Sequence, residues 1–462
     1  MTSIQELVHK NQIDSIVVGA GLAGSECAWQ MAERGLKVLL IEQRPEKLSP
    51  AHKTDQCAEL VCSNSFKSLD EESAPGQLKW ELKSSGSLVL KCAEKHVVPA
   101  GLSLAVDREK FAAEVTQTIE NHPNIYFQRQ QILHFEELIY QHQEGHEIPV
   151  VIATGPLTGE DLAKSLEQLT GNRLYFYDAI APIVDGSTIN RDIAFLQNRR
   201  NKGSEFSTQE GDYLNCPMTK DQYMAFIEEL KKGETLPYHD FEKAIFFQGC
   251  QPIEALLERG DKTLAFGPMK PVGLMDPRTN ERSYAVVQLR KEDNEGRAWN
   301  MVGFQSKLKY GEQKRIFRLI PGLENAEFFR MGSLHRNTYI ASPALLKENF
   351  ALKKDGRFYF AGQLTGVEGY LESTAVGCAV ALSISYSYKH AWKQDLPLAP
   401  ETTAIGALGH AIVHGRLKNF QPMNMNWGIV PLNEINVKDK EKKKKLVERA
   451  KRHFENWAVM AR

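Results

Sequence analysis

Seven cysteines are scattered through the 462 residues, and one of them stands where a thiol could do chemistry. Cys62 follows Leu60-Val61 and precedes Ser63-Asn64-Ser65. A thiol among small polar residues suits nucleophilic addition, whereas one behind two aliphatic residues suits a packed interior, and the residue types leave both readings open. Glycine supplies the second set. Gly19, Gly21 and Gly24, with Ala20, Leu22 and Ala23 between them, follow the β-branched run Ile16-Val17-Val18, and Cys27, Ala28, Met31 and Ala32 then recur at helical spacing. A further apolar run, Val38 to Ile41, ends on Glu42. This is the order a dinucleotide site requires: Gly19 for a tight turn, Gly21 for backbone approach to a pyrophosphate, Gly24 for close packing of helix on strand, and Glu42 to accept from a ribose hydroxyl.

The elements that must position these groups are legible in part. Gln43 to Cys62 is a long polar connection with a short helical pattern near its end, leaving the carboxyl end of a strand where such sheets bind ligands. Gln77 to Lys95 carries a helical pattern, Asp107 and Arg108 start a helix reaching about Asn121, and Ile125 to Phe127 and Ile132 to Leu138 read as strands. Val150 to Ile152 is a buried strand leading into the turn Ala153-Thr154-Gly155. Near the other end, Phe358-Tyr359-Phe360 runs into Ala361-Gly362, and Gln363-Leu364-Thr365-Gly366-Val367-Glu368-Gly369-Tyr370 follows. Glu372 to Tyr386 is apolar almost all round and predicts a buried helix, its N-terminus aimed at a ligand. Two glycine loops, each leading into a helix, predict a cofactor with two ends: ADP at Gly19 to Gly24 and an isoalloxazine ring near Gly362 to Glu368. FAD fits both. Glu368 can orient a ligand or cap the helix that follows, and both roles stand at this level.

Between these halves the βαβ rhythm is lost, turns multiply and aromatics cluster (Tyr175-Phe176-Tyr177, Phe246-Phe247). The expected fold class is therefore α/β, a Rossmann-like FAD-binding domain with an inserted α+β domain. The divisions are 1–160 for the first part of the FAD-binding domain, 161–339 for the insertion, and 340–462 for the second part with a basic C-terminal helix. With 57 Lys and Arg against 58 Asp and Glu the net charge is −1, so a nucleic-acid partner would need a local patch rather than a global field. The run Lys442 to Lys445 reads first as a solvated helix face and second as RNA contact. An odd number of cysteines in a long chain argues for a reducing compartment, and no apolar run is long enough for a membrane span. The protein is expected to be cytoplasmic, with no membrane and no obligate protein partner. No CxxC or HExxH pair predicts a metal site.

Several blocks together resemble one family: GAGLAGSECAW (19–29), RPEKLSPAHKTDQCAELVCSNS (44–65), VPAGLSLAVDREKFA (98–112), YLNCPMT (213–219), FFQGCQPIE (246–254), FGPMKPVGL (266–274), HRNTYI (335–340), FAGQLTGVEGY (360–370) and NFQPMN (419–424). The chain is similar in these to the folate- and FAD-dependent tRNA (uracil-5-)-methyltransferases. The resemblance implies formation of 5-methyluridine in the T loop of tRNA, at position 54, with carbon from 5,10-methylenetetrahydrofolate and hydride from FAD reduced by NADH or NADPH. Cys62 and Cys250 match the family's two functional cysteines. Cys250 is expected to be the uracil nucleophile and Cys62 the thiol that handles the one-carbon intermediate, with the reverse assignment open. Cys216 remains a structural suspect; Cys27, Cys57, Cys92 and Cys378 read as buried filler. The competing readings are the same chemistry on ribosomal RNA, a flavin oxidoreductase with a small-molecule substrate, and a non-catalytic FAD-containing RNA-binding protein.

Overall fold

β1 (Ser15–Val18), α1 (Leu22–Ala32) and β2 (Val38–Glu42) form the expected strand-helix-strand unit, and β1 and β2 pair in parallel from Ser15 against Val38 to Val18 against Ile41. The computed structural model describes residues 3–171, 174–236, 251–418, 420–432, 435 and 439–461. β3 (Ile125–Arg129), β4 (Val150–Ile152) and β5 (Phe358–Phe360) complete a parallel sheet in the order β5-β4-β1-β2-β3. β1, β2, β4 and β5 are buried at every position, as a parallel sheet covered on both faces requires. The chain thus leaves this sheet after β4 and re-enters it at β5, some 200 residues later.

Helices cover the sheet. α3 (Tyr370–Lys389) packs on α1, α2 (Ala74–Ser84) and α4 (Ala404–His414) pack on α3 and on each other, and α3 is buried along nearly its whole length, Leu371 to Ser387. Gly377 of α3 lies so close to α1 that a Cβ there would stand 2.3 Å from the Ala23 carbonyl oxygen. α5 (Asp439–Ala461) turns Leu446, Phe454 and Trp457 into the same core while Lys443, Lys444 and Lys445 face solvent.

A second core, from Val184 to Ala326, lies against a six-stranded antiparallel sheet ordered 195–196, 213–218, 285–291, 298–301, 183–185, 328–330. The strands Leu174–Ile180 and Ser333–Tyr339 pair antiparallel and carry the chain between the two regions.

Three local expectations are corrected. Ile132 to Leu138 is no strand: Phe135–Leu138 is a 3-10 turn, because the Glu137 carboxylate reaches back to the His134 N–H at 2.9 Å. The segment before Cys62 contains no helix, because Glu59 accepts from the N–H groups of Lys53 (2.9 Å) and Thr54 (3.1 Å) and folds it as a loop. Gln77 to Lys95 is two helices, α2 and Leu88–Lys95, since Gly86 turns the chain at φ +79 and the Ser87 hydroxyl caps the second.

Candidate active site

The first glycine turn, the Ala153-Thr154-Gly155 turn and the second glycine loop meet around one cavity at the carboxyl ends of β1, β2, β4 and β5. Gly19, Gly21, Leu22, Ala23, Glu42, Thr154, Gly155, Gly362 and Gln363 all line it. Each glycine has its own reason. Gly19 has φ +99, Gly24 presses so tightly on the turn that a Cβ would stand 1.8 Å from the Gly19 carbonyl oxygen, and Gly21 has nothing within 4 Å of where a Cβ would project. Gly21 is thus the open face of the turn. Gly362, at φ +74, would drive a Cβ to 2.6 Å from that of Ala23, so the second loop rests on the first helix.

No side chain caps the N-terminus of α1. Its first N–H groups and dipole are therefore available to an anion. Glu42 is held by the Ala20 N–H (2.8 Å) and by Nε of Arg44 (2.9 Å). Burial pushes its carboxyl up, but the Arg44 hydrogen bond and charge, with the two backbone N–H groups, outweigh burial and hold it below the usual range. An ionised carboxylate with spare lone pairs is what a ribose hydroxyl would meet. Burial and then the Arg44 charge push His52 down to about 4, so a neutral imidazole completes this side of the wall.

Cys62 sits at the edge of the same cavity. Val61 lines it, and so does Tyr370, the first residue of α3, whose hydroxyl accepts from the N–H groups of Cys62 (2.8 Å) and Ser63 (3.1 Å). Two guanidiniums grip the Cys62 carbonyl, Arg108 at 3.2 Å and Arg330 at 3.0 Å. Burial first, and Arg108 second, push Arg330 down to about 10, which leaves it charged at neutral pH. The partly exposed thiol is therefore carried on a segment held from three directions by residues far apart in sequence.

The remaining expected residues fall outside the cavity wall. Ala20 and Gly24 are packed behind the turn. Thr365 is buried, its hydroxyl donating to the Gly362 carbonyl at 2.7 Å, and Gly366, at φ +91, lies under the ring of Phe420. Glu368 does not cap α3, whose N-cap is Gly369 without a side-chain bond; it accepts instead from the Gln363 amide. Burial, then the charges of Asp178 and Cys62, raise its carboxyl well above the usual range. Cys250 lies outside the described residues. Cys216, Cys27, Cys57, Cys92 and Cys378 are all buried, and burial raises Cys57, Cys92, Cys216 and Cys378 to about 12.

Away from the cavity, His142, Glu144 and His146 bring donor atoms within 4.8 Å of one another. The two imidazoles stack at 4.5 Å and 19°, so their in-plane lone pairs do not converge.

Arg44, His52, Arg108, Arg330 and Tyr370 were not singled out from spacing. Arg44 carried a signal, two residues beyond the acid that ends β2; Arg330 stands in an unpatterned stretch and carried none.

A model of the family described as glucose inhibited division protein A matches residues 14–391. A methylenetetrahydrofolate–tRNA-(uracil-5-)-methyltransferase of Exiguobacterium sp. is 50% identical over 441 residues, 95% of this chain and 95% of that protein. Another, from Bacillus pumilus, is 50% identical over 447 residues, 96% of this chain and 98% of its own. The chain belongs to this methyltransferase family. The fold agrees: the solved structure of Aquifex aeolicus GidA matches with a TM-score of 0.65 at 15% identity, over 97% of this chain and 75% of that one. The matches to the methyltransferase relatives thus take in the parallel sheet, the second core and both glycine loops.

Proposed function

We propose that this chain forms 5-methyluridine in the T loop of tRNA, at position 54, with carbon from 5,10-methylenetetrahydrofolate and reducing equivalents from NADH or NADPH through FAD. The observation that carries the reading is the joining of two glycine loops around one cavity with Cys62 fastened to its wall through Tyr370. The residues fit FAD. The open face at Gly21 and the uncapped start of α1 suit a diphosphate, Glu42 suits a ribose, and Gly362 and Gln363 offer the second end of the cavity to a flavin ring. Bound FAD would supply the hydride that completes the methyl group.

The protein's own groups do the rest. Uracil C5 becomes nucleophilic only after addition at C6, for which a thiolate is the best suited side chain. We assign that addition to Cys250 and the handling of the one-carbon unit to Cys62. Tyr370, Arg108 and Arg330 hold the backbone of residue 62, so the thiol meets its target without reorganisation. Burial raises the Glu368 carboxyl well above its usual range, and the amide of Gln363, which lines the cavity, holds it in place.

We take 1–160 with 340–462 as the FAD-binding unit and 161–339 as the insertion; the separation of the two cores supports this. We place the enzyme in the cytoplasm without an obligate protein partner. Among the described residues no helix is long and apolar enough to cross a membrane.

The test supplies methylenetetrahydrofolate labelled in its methylene carbon, NADPH or NADH, and unmodified tRNA. Label in 5-methyluridine, and none when the labelled donor is S-adenosylmethionine, is the expected result. Label in ribosomal RNA alone would change the substrate. Label in neither, with FAD bound, would put a small-molecule oxidoreductase in its place.

A further inference from the structure

Phe266 is the most exposed large hydrophobic side chain among the described residues, at 80%. Its support is firm. It ends the short helix Thr263–Phe266, whose Leu264 is wholly buried in the second core. Beneath the helix the buried Tyr223 hydroxyl donates to the Asp261 carbonyl at 2.7 Å and accepts from the Ala265 N–H at 3.2 Å. The Met269 N–H returns to the Leu264 carbonyl at 2.8 Å and closes the turn. The backbone is fastened while the ring faces outward.

The surroundings are cationic. Phe266 lines an open concavity with Arg259, Lys262 and Pro268. Its one acidic lining residue, Asp261, is paired with Lys231 at 2.9 Å. Lys262 is exposed and has no ion pair among the described residues. Arg259 donates one N–H to the Gln251 side chain at 2.7 Å and keeps others for solvent. Gln251 directly follows Cys250 in the chain, which ties this wall to the segment carrying the second family cysteine.

We propose that Phe266 is a stacking platform for an unpaired nucleobase of the RNA substrate, with Lys262 and Arg259 receiving the adjoining phosphates. This rests on the methyltransferase reading for its substrate class. An aromatic face beside two cations matches a nucleotide, which presents a flat π face and a phosphate at fixed spacing. Extrusion of a uracil also leaves its neighbour without a stacking partner, and a protein ring can replace the one lost. A protein partner would call for a broad apolar patch, whereas Phe266 is flanked by Arg259, Lys262 and Lys270, all exposed.

The test titrates the full FAD-loaded chain against fluorescein-labelled unmodified tRNA at several salt concentrations. Phe266→Ala and Phe266→Leu are expected to weaken binding about tenfold, and Phe266→Trp to retain it. Lys262→Ala should lower the salt slope by about 0.7. Flavin content, thermal unfolding and oligomeric state should be those of the wild type in all four. Wild-type affinity in both Phe266→Ala and Phe266→Leu would overturn the platform, and so would a changed oligomeric state, which would assign the ring to a second copy of the chain. A wild-type chain that binds tRNA but methylates none would remove the methyltransferase reading and leave the platform standing; failure of the wild type to bind tRNA would remove the platform.

Discussion

Gly21 and Cys62 carry the two residue-scale predictions. Because nothing lies within 4 Å of a Cβ at Gly21, and its φ of −72 suits any residue, Gly21→Val should fold with an apo stability within about 1 kcal/mol of the wild type. The side chain would project into the space a pyrophosphate needs, so bound flavin should fall below about a tenth of wild type. A fully yellow variant would sink the cradle. Cys62→Ala should keep its FAD, since the thiol is not among the cavity-lining residues, and lose methylation on the order of a thousandfold. Unchanged turnover would remove Cys62 from the chemistry. The roles differ because Gly21 matters for what it lacks and Cys62 for what it presents.

At the scale of elements, the contact of α1 with α3 brings the two glycine loops together. Gly377→Ala would push a methyl to 2.3 Å from the Ala23 carbonyl in a helix pair with no slack, and should cost about 1–3 kcal/mol in chemical denaturation. A neutral result would mean that α3 can shift. Glu81 links α2 to the start of α4, accepting from Ala404 N and Ile405 N at 2.7 Å each. Burial raises its carboxyl to about 7, against an ordinary value of 4.5. The folded state therefore binds a proton the unfolded chain has released, so this contribution is whole below about pH 4.5 and is lost as pH rises through 7. Thermal unfolding of the wild type should show that decline, and Glu81→Gln should flatten it. An identical pH profile in the variant would assign the titration elsewhere. α3 was legible as an element because a run that long and apolar almost all round can only lie inside a core. The turn at Phe135–Leu138 and the loop before Cys62 were misread because one glutamate in each bonds to nearby backbone, and such a bond leaves no periodic trace.

Across the whole molecule, a polar seam beside Cys62 joins the two cores. The Asn64 amide donates to the carbonyls of Val106 and Lys291, each at 2.9 Å, and its oxygen accepts from Arg290 Nε at 2.9 Å. Arg108, on the helix Arg108–Glu120, forms an ion pair with Glu292 at the edge of the second sheet. Glu292→Ala leaves Arg108 charged and largely buried without its partner, and should destabilise the fold by about 3 kcal/mol. Methylation should fall further than flavin binding, since the cradle lies wholly on the first core's side. Equal losses of both would place the seam's role in folding alone.

By itself the sequence determined what local spacing can encode: the strand, glycine turn, helix and acid of the cradle, the Asp107 cap, the buried α3, and the family blocks that point to methyl transfer. Each of these is specified by neighbours within a few turns of chain. Only the tertiary structure decided that Cys62 belongs to the cavity edge, through a hydroxyl 308 residues away at Tyr370 and a guanidinium 268 residues away at Arg330. It also placed Thr365 and Gly366 behind the wall and Arg44 and His52 in it. The physical reason is that such contacts arise where the chain re-enters a sheet. They depend on which surfaces burial brings together, and a single side chain reaching across that seam has no periodicity for the sequence to display.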